Sequence, residues 1–199
     1  MLTPIKAIRR SRLKEKNFTI ISNNCWGGRV YQYYNLPYLS PTVGMYFFAD
    51  EYIKFLNNLS YYLSCDMKFC KTEDSKYYDE IKKTDTQPII GLLDDVEIVM
   101  LHYKSEEEAF EKWNRRKKRI RFENLIVKFN DQNLCTPMHI KKFDNLKYDN
   151  KICFCSKRYN EFKSIIWFKK YKNDFFVKND VKHWRRYFNF TQYINERFK

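Results

Sequence analysis

The sequence has little of what builds linkers, fibres or membrane spans. It holds only four glycines and five prolines among 199 residues, which excludes collagen-like and low-complexity classes. No apolar run approaches the roughly 18–20 residues that a membrane-spanning helix needs. Hydrophobic residues make up 44% and aromatic residues 19% of the chain, a content that excludes intrinsic disorder. A chain of this length fits one domain.

The cysteines lack the spacing of a disulfide or zinc framework. The six are Cys25, Cys65, Cys70, Cys135, Cys153 and Cys155, without a CxxC pair or a Cys/His cluster of zinc type. Disulfide frameworks serve short secreted chains that cannot build a core. The opening stretch MLTPIKAIRRSRLKEKN lacks the apolar region of a secretory signal. We therefore expect free thiols and a cytoplasmic protein.

The positive charge is concentrated at two ends. With 38 basic and 24 acidic residues the net charge is +14, and residues 1–17 hold six basic and one acidic side chain, against sixteen and six in residues 141–199. Such ends suit nucleic acid, an anionic membrane or phosphorylated substrates. The alternative is that the positive charge is an ordinary solvated surface, because an A/T-rich genome favours lysine codons. For a position at the inner face of the membrane, the candidate contacts are Arg9, Arg10, Arg12, Lys14 and Lys16.

Short apolar segments alternate with helical patterns, which predicts an α/β fold. Four segments rich in β-branched and aromatic residues are predicted as buried strands, with a possible fifth: 18–23, 96–103, 125–130, 151–156 and 164–168. We expect an α/β three-layer sandwich with a mostly parallel central sheet. Residues 1–17 would form a basic N-terminal arm, and residues 18–199 one domain that ends in a basic, aromatic helix.

The helices are predicted from apolar stripes and from their ends. The stripe over residues 45–64 predicts one long helix, and residues 179–197 predict the terminal one. Over residues 105–119, Ser105 and Glu108 form a capping box, and Phe110 and Trp113 lie on the expected buried face. Residues 136–145 place Pro137 at the first helical position.

The first strand leads into a polar and glycine-containing turn. Asn23, Asn24, Gly27 and Gly28 follow the strand directly, at the edge where α/β proteins gather ligands. Adjacent glycines let a backbone approach a ligand, and the N-terminus of a following helix offers free N–H groups to phosphate. The alternative is a tight turn that uses glycine for its backbone angles. We name these four residues as candidate substrate-binding residues.

Three further residues are candidates for catalysis. Asp50 begins the polar face of a predicted helix, His102 lies at the end of the second predicted strand, and Asp131 follows the strand LIVKFN within the cluster NDQN. A carboxylate can act as a base or hold a divalent metal, and a histidine can act as a general base near neutral pH. Asp131 is the candidate metal ligand, and Asn130 beside it a candidate substrate contact. Each residue also has a structural reading, as a turn, a cap or a strand end.

These strand ends come together only if their strands are parallel. The stretches SNNCWGG, HYKS and NDQN would then meet at one edge of the sheet. Arg115 and Arg116, in the helix that follows HYKS, are candidate phosphate contacts, because arginine binds phosphate in a bidentate fashion. Four glutamates open that helix and would repel a phosphate backbone, so we do not expect nucleic acid as a partner.

Three stretches resemble a bacterial family of unknown function. They are ISNNCWGGRVYQYYNLPYLSPTVGMYFFADEYIKFL, VEIVMLHYKSEEEAFEKWNRRKKRI and LIVKFNDQN, within a match of roughly residues 18 to 170. Members of this family are usually labelled exopolysaccharide biosynthesis proteins, and some acetyltransferases. The resemblance implies a Rossmann-like α/β fold and a role in making capsule or exopolysaccharide, and it assigns no catalytic residue.

The leading hypothesis is a transferase that takes a sugar from a nucleotide sugar to a glycan acceptor. Gly27 and Gly28, with Arg115 or Arg116, would contact the donor phosphates. Asp131 or Asp50 would hold Mg²⁺ or Mn²⁺, and His102 or Asp131 would act as the base. One alternative is an acetyl-CoA-dependent O-acetyltransferase of the polysaccharide. Another is a non-catalytic assembly subunit at an anionic membrane surface.

Overall fold

A four-stranded parallel sheet forms the centre of the molecule. The structure, a computed structural model, describes residues 4–84 and 86–198. The strands within them are β1 (Thr19–Ser22), β2 (Lys68–Cys70), β3 (Ile89–Leu93), β4 (Val96–Met100), β5 (Leu125–Asn130), β6 (Lys151–Cys155) and β7 (Ile165–Trp167). The central sheet has the order β1-β5-β6-β7, and all its neighbours are parallel. The predicted α/β fold with a parallel sheet is confirmed, including the fifth segment as β7.

A second, smaller sheet corrects one prediction. Strands β2, β3 and β4 pair antiparallel in that order. The apolar segment VEIVMLHY therefore supplies β4 of this sheet and no strand of the central one. Every residue of β4 is buried, because the strand is covered on both faces. A strand covered on both faces is apolar throughout in either kind of sheet, so its pattern does not reveal its direction.

The helices flank the central sheet. Those in the described residues are α1 (Pro4–Ser11), α2 (Trp26–Tyr34), α3 (Ala49–Asn57), α4 (Leu59–Ser64), α5 (Tyr78–Ile81), α6 (Glu106–Lys117), α7 (Pro137–Asn145), α8 (Asp180–His183) and α9 (Phe190–Arg197). The single helix predicted over residues 45–64 is two helices, α3 and α4, which meet at Asn58. The predicted terminal helix is also divided, because the 3₁₀ turn Trp184–Arg186 and residues 187–189 separate α8 from α9.

Helices α6 and α7 begin where the sequence predicts. Ser105 caps α6 and accepts a hydrogen bond from the Glu108 backbone N–H at 3.2 Å. In α7, Pro137 occupies the first turn and Thr136 forms a capping box with His139. The buried face of α6 differs from the expected one: Phe110 is 42% exposed, and the buried residues are Ala109, Trp113 and Arg116.

Two hydrophobic cores lie on opposite faces of the central sheet. Along β5, Val127 and Phe129 belong to the core that also holds α3 and α7. Ile126 belongs to the other core, together with Trp26 of α2 and the aromatic residues of the C-terminal segment. This alternation follows the two-residue period of a strand and gives the three predicted layers. Among the described residues, no helix is long and apolar enough to cross a membrane.

Candidate functional site

A buried polar cluster lies at the carboxyl ends of β1 and β5. We call it the edge cluster; it consists of Asn23, Asn24, Lys128, Asn130, Asp131 and Asp180, all buried. Lys128 Nζ lies 2.5 Å from Asp180 Oδ2, and the two side chains are 0% and 2% exposed. The same ammonium donates to Asn24 Oδ1 at 2.9 Å. Sequence reasoning missed this ion pair, although a lysine inside the apolar strand LIVKFN is its visible signal.

The cluster compensates its buried charges with hydrogen bonds. Asp180 Oδ2 also accepts from Asn24 Nδ2 at 2.9 Å and from Asn130 Nδ2 at 3.0 Å. The Lys128 ammonium lies 5.0 Å from the centre of the Phe154 ring. Burial lowers the pKa of Lys128, while the neighbouring Asp180 carboxylate opposes that shift. Such a network is needed because a buried charge without partners costs several kcal/mol.

A segment near the C-terminus covers this edge of the sheet. We call residues 175–180 the strap. The Val177 N–H donates to Asp131 Oδ1 at 2.8 Å, and Gln132 Nε2 donates to the Val177 carbonyl. Asp180, at the end of the strap, completes the ion pair with Lys128. The strap therefore closes the strand ends that the sequence suggests as an open ligand site.

Asp131 has a structural environment that does not suit a metal ion. Its second oxygen, Oδ2, accepts from the Ser156 N–H at 2.6 Å, so both oxygens are engaged with backbone groups. Burial raises the pKa of Asp131, against the effect of those hydrogen bonds. The Lys128 ammonium also belongs to the cluster and repels a cation. No group of three His, Cys, Asp or Glu side chains in residues 4–84 and 86–198 could hold a metal ion, and we derive no step through Mg²⁺ or Mn²⁺.

Asp50 lies outside the edge cluster. Its side chain is 70% exposed, and Oδ1 lies 2.8 Å from His139 Nε2. The Thr136 N–H donates to His139 Nδ1 at 3.0 Å, so Nε2 carries the proton that is shared with Asp50. His139 is only 8% exposed. The pair joins the first turns of α3 and α7, which gives Asp50 a structural role.

A second site is open to solvent, and we call it the basic cleft. It has a volume of about 380 Å³, within the range of small-molecule sites. Its lining residues come from α2, the segment 38–44, the turn after β4, and α6: Cys25, Gly28, Arg29, Gln32, Tyr38, Val43, Gly44, His102, Tyr103, Lys112 and Arg116. These residues include two arginines, a lysine and a histidine, and they include no carboxylate.

Close packing and a special backbone angle shape the cleft wall. A Cβ on Gly28 would lie 3.0 Å from Val43 Cγ1, so glycine lets α2 approach the segment 38–44. Gly44 has a φ of 86°, an angle that favours glycine. The His102 N–H donates to the Gly44 carbonyl at 3.0 Å. This bond draws His102 towards α2, although β4 lies in the other sheet.

Arg116 is the fixed cation of the cleft. It is 7% exposed, and its Nη1 donates to the Val43 carbonyl at 3.0 Å and to Tyr103 Oη at 2.9 Å. Its guanidinium carbon lies 5.0 Å from the centre of the Tyr38 ring. Burial raises the pKa of Tyr103, and the Arg116 charge opposes that shift. Arg116 therefore holds the two tyrosines in place.

Arg29 and Lys112 are the cations with more freedom. Arg29 is exposed and donates to Gln32 Oε1 at 3.1 Å. Lys112 lies over the Tyr103 ring at 5.5 Å and pairs with Glu108. A ligand phosphate would replace the exposed Arg29–Gln32 contact and compete with Glu108 for the half-buried Lys112. Burial, followed by the Asp180 charge, raises the pKa of Cys25, so its thiol stays protonated.

The predicted site residues thus divide between two places. Asn23, Asn24, Asn130 and Asp131 lie in the edge cluster. His102, Gly28 and Arg116 meet in the basic cleft. The remaining residues lie in neither: Gly27 packs against β1, with a hypothetical Cβ at 3.1 Å from Ile20 Cγ2, Arg115 is exposed on α6, and Asp50 pairs with His139.

The fold and its two polar sites define an α/β protein with an enclosed ion pair and an open basic cleft. The chain belongs to the family described as a domain of unknown function (DUF1919), whose sequence profile matches residues 2–198. It is 34% identical over 161 residues to an uncharacterized protein of Haemophilus influenzae, which covers 81% of this chain and 72% of that protein. The expected membership of a family of unknown function is confirmed.

Proposed function

We propose that the basic cleft binds the diphosphate of a nucleotide-linked donor and that the protein transfers a sugar to a glycan acceptor. The observation that carries this proposal is the composition of the cleft. Arg29, Lys112 and Arg116 surround one space of about 380 Å³ whose lining holds no carboxylate. Clefts lined by one sign of charge concentrate ligands of the opposite sign.

The cleft offers separate groups for the phosphates and for a planar ring. Arg29 is an exposed cation, and the guanidinium of arginine matches phosphate oxygens in a bidentate geometry. Lys112 is a half-buried cation that a phosphate would share with Glu108. Tyr38 and Tyr103 line the same space and supply aromatic surface for a nucleobase. Arg116 is engaged with Val43 and Tyr103, so it positions the aromatic wall more than it contacts the ligand.

His102 is the candidate base in this proposal. Its side chain is exposed at the rim of the cleft, where an acceptor can approach. The acceptor hydroxyl oxygen forms a bond to the anomeric carbon of the donor sugar, and its proton passes to His102. The bond from that carbon to the diphosphate oxygen breaks, and Arg29 and Lys112 stabilise the negative charge on the departing nucleoside diphosphate.

The biological setting comes from the family labels. Resemblance to proteins labelled as exopolysaccharide biosynthesis proteins supports a glycan as acceptor. The label acetyltransferase points to acetyl-CoA. The nucleotide part of acetyl-CoA also contains a diphosphate, which the same cations would bind. Because the two donors share this binding chemistry, the titration and the product analysis described below distinguish between them.

Calorimetric titration with nucleotide sugars, free nucleotides and acetyl-CoA, each with and without Mg²⁺ or Mn²⁺, tests the cleft. Arg29→Ala and Lys112→Ala should each weaken binding about tenfold or more, the loss of one charge-assisted hydrogen bond. Arg115→Ala is the matched control, because Arg115 lies on α6 outside the cleft, and it should bind normally. Equal binding by all three variants, or no binding of any nucleotide, would overturn the proposal.

His102→Gln separates binding from transfer. Glutamine keeps a polar side chain of similar reach but cannot accept the proton, so ligand affinity should stay within about twofold while turnover is lost. Product analysis by mass spectrometry distinguishes a transferred sugar from a transferred acetyl group. Full turnover in His102→Gln would remove His102 from the mechanism.

A further inference from the structure

The two basic ends of the chain meet in the folded protein. The Lys14 N–H donates to Asn195 Oδ1 at 2.8 Å, and Asn195 Nδ2 donates to the Arg12 carbonyl at 2.9 Å. These bonds tie the N-terminal arm to α9 across 181 and 183 positions of the sequence. Charges that are separate in the sequence therefore lie on neighbouring elements.

One tyrosine of α2 brings two of these charges together. The Arg9 guanidinium carbon lies 4.0 Å and that of Arg185 lies 5.1 Å from the centre of the Tyr33 ring. Arg9 belongs to α1, which packs on α2, and Arg185 follows α8. The ring therefore joins the N-terminal and C-terminal basic segments by cation–π contacts.

The resulting charge has no close counter-charge in the part of the chain that the structure describes. We call Arg9, Arg10, Arg12, Lys14 and Arg185 the terminal basic surface. Within residues 4–84 and 86–198, none of the five lies within 4.0 Å of a carboxylate oxygen. Like charges held together repel one another, so an external anionic surface lowers their energy.

Helix α1 adds exposed aliphatic side chains to this charge. Ile5 is 59% and Ile8 is 53% exposed, and their spacing of three positions places them on one face of the helix. A nucleic acid or an acidic polysaccharide neutralises the arginines but offers no place for isoleucine. A bilayer offers both anionic headgroups and acyl chains, which is how amphipathic helices bind membranes.

We propose that α1 and the terminal basic surface dock the protein on an anionic lipid bilayer, with Ile5 and Ile8 at the boundary between headgroups and acyl chains. This inference does not depend on the proposed transferase activity. Arg29 of the basic cleft precedes Tyr33 by one helical turn of α2, so docking would hold the cleft close to the lipid surface.

Co-sedimentation of the full chain with vesicles tests the proposal. Binding to phosphatidylcholine vesicles that contain about 30% phosphatidylglycerol should be strong at low salt and fall steeply at 300 mM salt, and pure phosphatidylcholine should bind weakly. Arg12→Glu/Lys14→Glu should reduce binding at least tenfold. Lys141→Glu/Lys142→Glu makes the same change of charge on exposed positions of α7 and should bind as the wild type does.

A second variant separates lipid from other polyanions. Ile5→Ser/Ile8→Ser should weaken vesicle binding severalfold and leave binding to heparin or duplex DNA unchanged, because only the bilayer takes up the isoleucines. Circular dichroism of each variant verifies the fold. The proposal is overturned if the wild type does not bind anionic vesicles, or if the variant on the terminal basic surface and the control variant on α7 lose binding equally. It is also overturned if the isoleucine variant binds vesicles as the wild type does.

Discussion

Lys128 and Asp180 lie 52 positions apart in the sequence and form an ion pair that is sealed from solvent. The lysine belongs to the second strand of the central sheet, and the aspartate begins α8. Asn24 and Asn130 donate to the same aspartate oxygen. The pair fixes the strap over the strand ends and decides which polar residues of the sheet edge are closed to ligands.

Removing one partner of this pair should strongly destabilise the protein. Lys128→Met leaves the Asp180 carboxylate buried without its cation, and Asp180→Asn leaves the ammonium without its anion. Each should lower the free energy of unfolding by about 3–5 kcal/mol in urea titrations. The double variant should lose less than the sum, because neither charge then remains alone.

An exposed ion pair serves as the control for that measurement. Asp79 pairs with Lys82 on the surface, and Asp79→Asn should leave the unfolding midpoint unchanged. If the losses in unfolding free energy of Lys128→Met and Asp180→Asn add up exactly in the double variant, the two groups do not stabilise each other.

Asp131→Asn should loosen the strap. Both carboxylate oxygens accept backbone hydrogen bonds, from Ser156 and Val177, and an amide can replace only one of them. We expect a loss of about 1–3 kcal/mol in stability and faster hydrogen exchange at the Val177 or the Ser156 amide. The Val127 amide, which donates to the Asn150 carbonyl, is the internal reference. Unchanged protection at Val177 and Ser156 would contradict the structural role given to Asp131.

The protein should lose stability at alkaline pH through its buried phenols. Burial raises the pKa of Tyr193 from 10.0 to about 12, and it raises the pKa values of Tyr31 and Tyr52 as well. Above pH 10 the unfolded chain loses these protons while the folded protein keeps them. The folded state therefore binds more protons, and the free energy of unfolding falls as pH rises through this window.

Tyr193→Phe isolates one of these groups. The Tyr193 hydroxyl is buried and has no hydrogen-bond partner among the described residues, so at pH 7 the variant should be at least as stable as the wild type. At pH 11 it should be more stable than the wild type by roughly a further 1 kcal/mol, since it has no phenol to ionise on unfolding. Urea unfolding at pH 7, 9, 10 and 11 measures this difference, and the same difference at every pH would refute the explanation.

Gly28→Ala should be destabilising for a steric reason that a second substitution reverses. The new Cβ would lie 3.0 Å from Val43 Cγ1, and a β-branched side chain cannot easily turn away. Overpacking costs about 1–3 kcal/mol, against about 1 kcal/mol gained in helix propensity. In a Val43→Ala background the same change should become stabilising. Thermal unfolding of the wild type, the two single variants and the double variant measures this cycle. If Gly28→Ala destabilises the protein equally in both backgrounds, the contact with Val43 is not the cause.

Gly91→Ala is a useful comparison for this cycle. Its Cβ would lie closer to a neighbour, at 2.7 Å from Met100 Cε, but that atom ends a flexible side chain. Methionine adapts to irregular space more readily than valine does. We therefore expect a smaller loss of stability at Gly91 than at Gly28, despite the shorter distance.

Local interactions explain which parts of the fold were predictable from sequence. The cap of Ser105 on α6 joins residues three positions apart, so the pattern SEEE is enough to place it. The strand LIVKFN is likewise recognisable from its apolar, β-branched residues. The direction of VEIVM could not be predicted, because Val99 pairs with Ile90 and Tyr46 in contacts that the apolar pattern does not encode.

The candidate site was predictable only in part for the same reason. Lys128 is visible as a charged residue in an apolar strand, and its burial requires an anion nearby. Its partner Asp180 lies in the basic C-terminal region, where nothing in the local sequence distinguishes it from other acids. The basic cleft depends on Gly44 and His102, which meet across 58 positions through one backbone bond. Neither the closure of the edge cluster nor the opening of the cleft follows from local patterns.

The distance in sequence between Lys128 and Asp180 also determines when the domain can finish folding during synthesis. At about 5–20 residues per second, a ribosome needs roughly 3–10 s to add the 52 residues that separate the ammonium from its carboxylate. Throughout that interval Lys128 has no carboxylate partner, although its side chain is fully buried in the folded protein. We therefore expect that the N-terminal 130 residues alone do not reach the native packing of the central sheet.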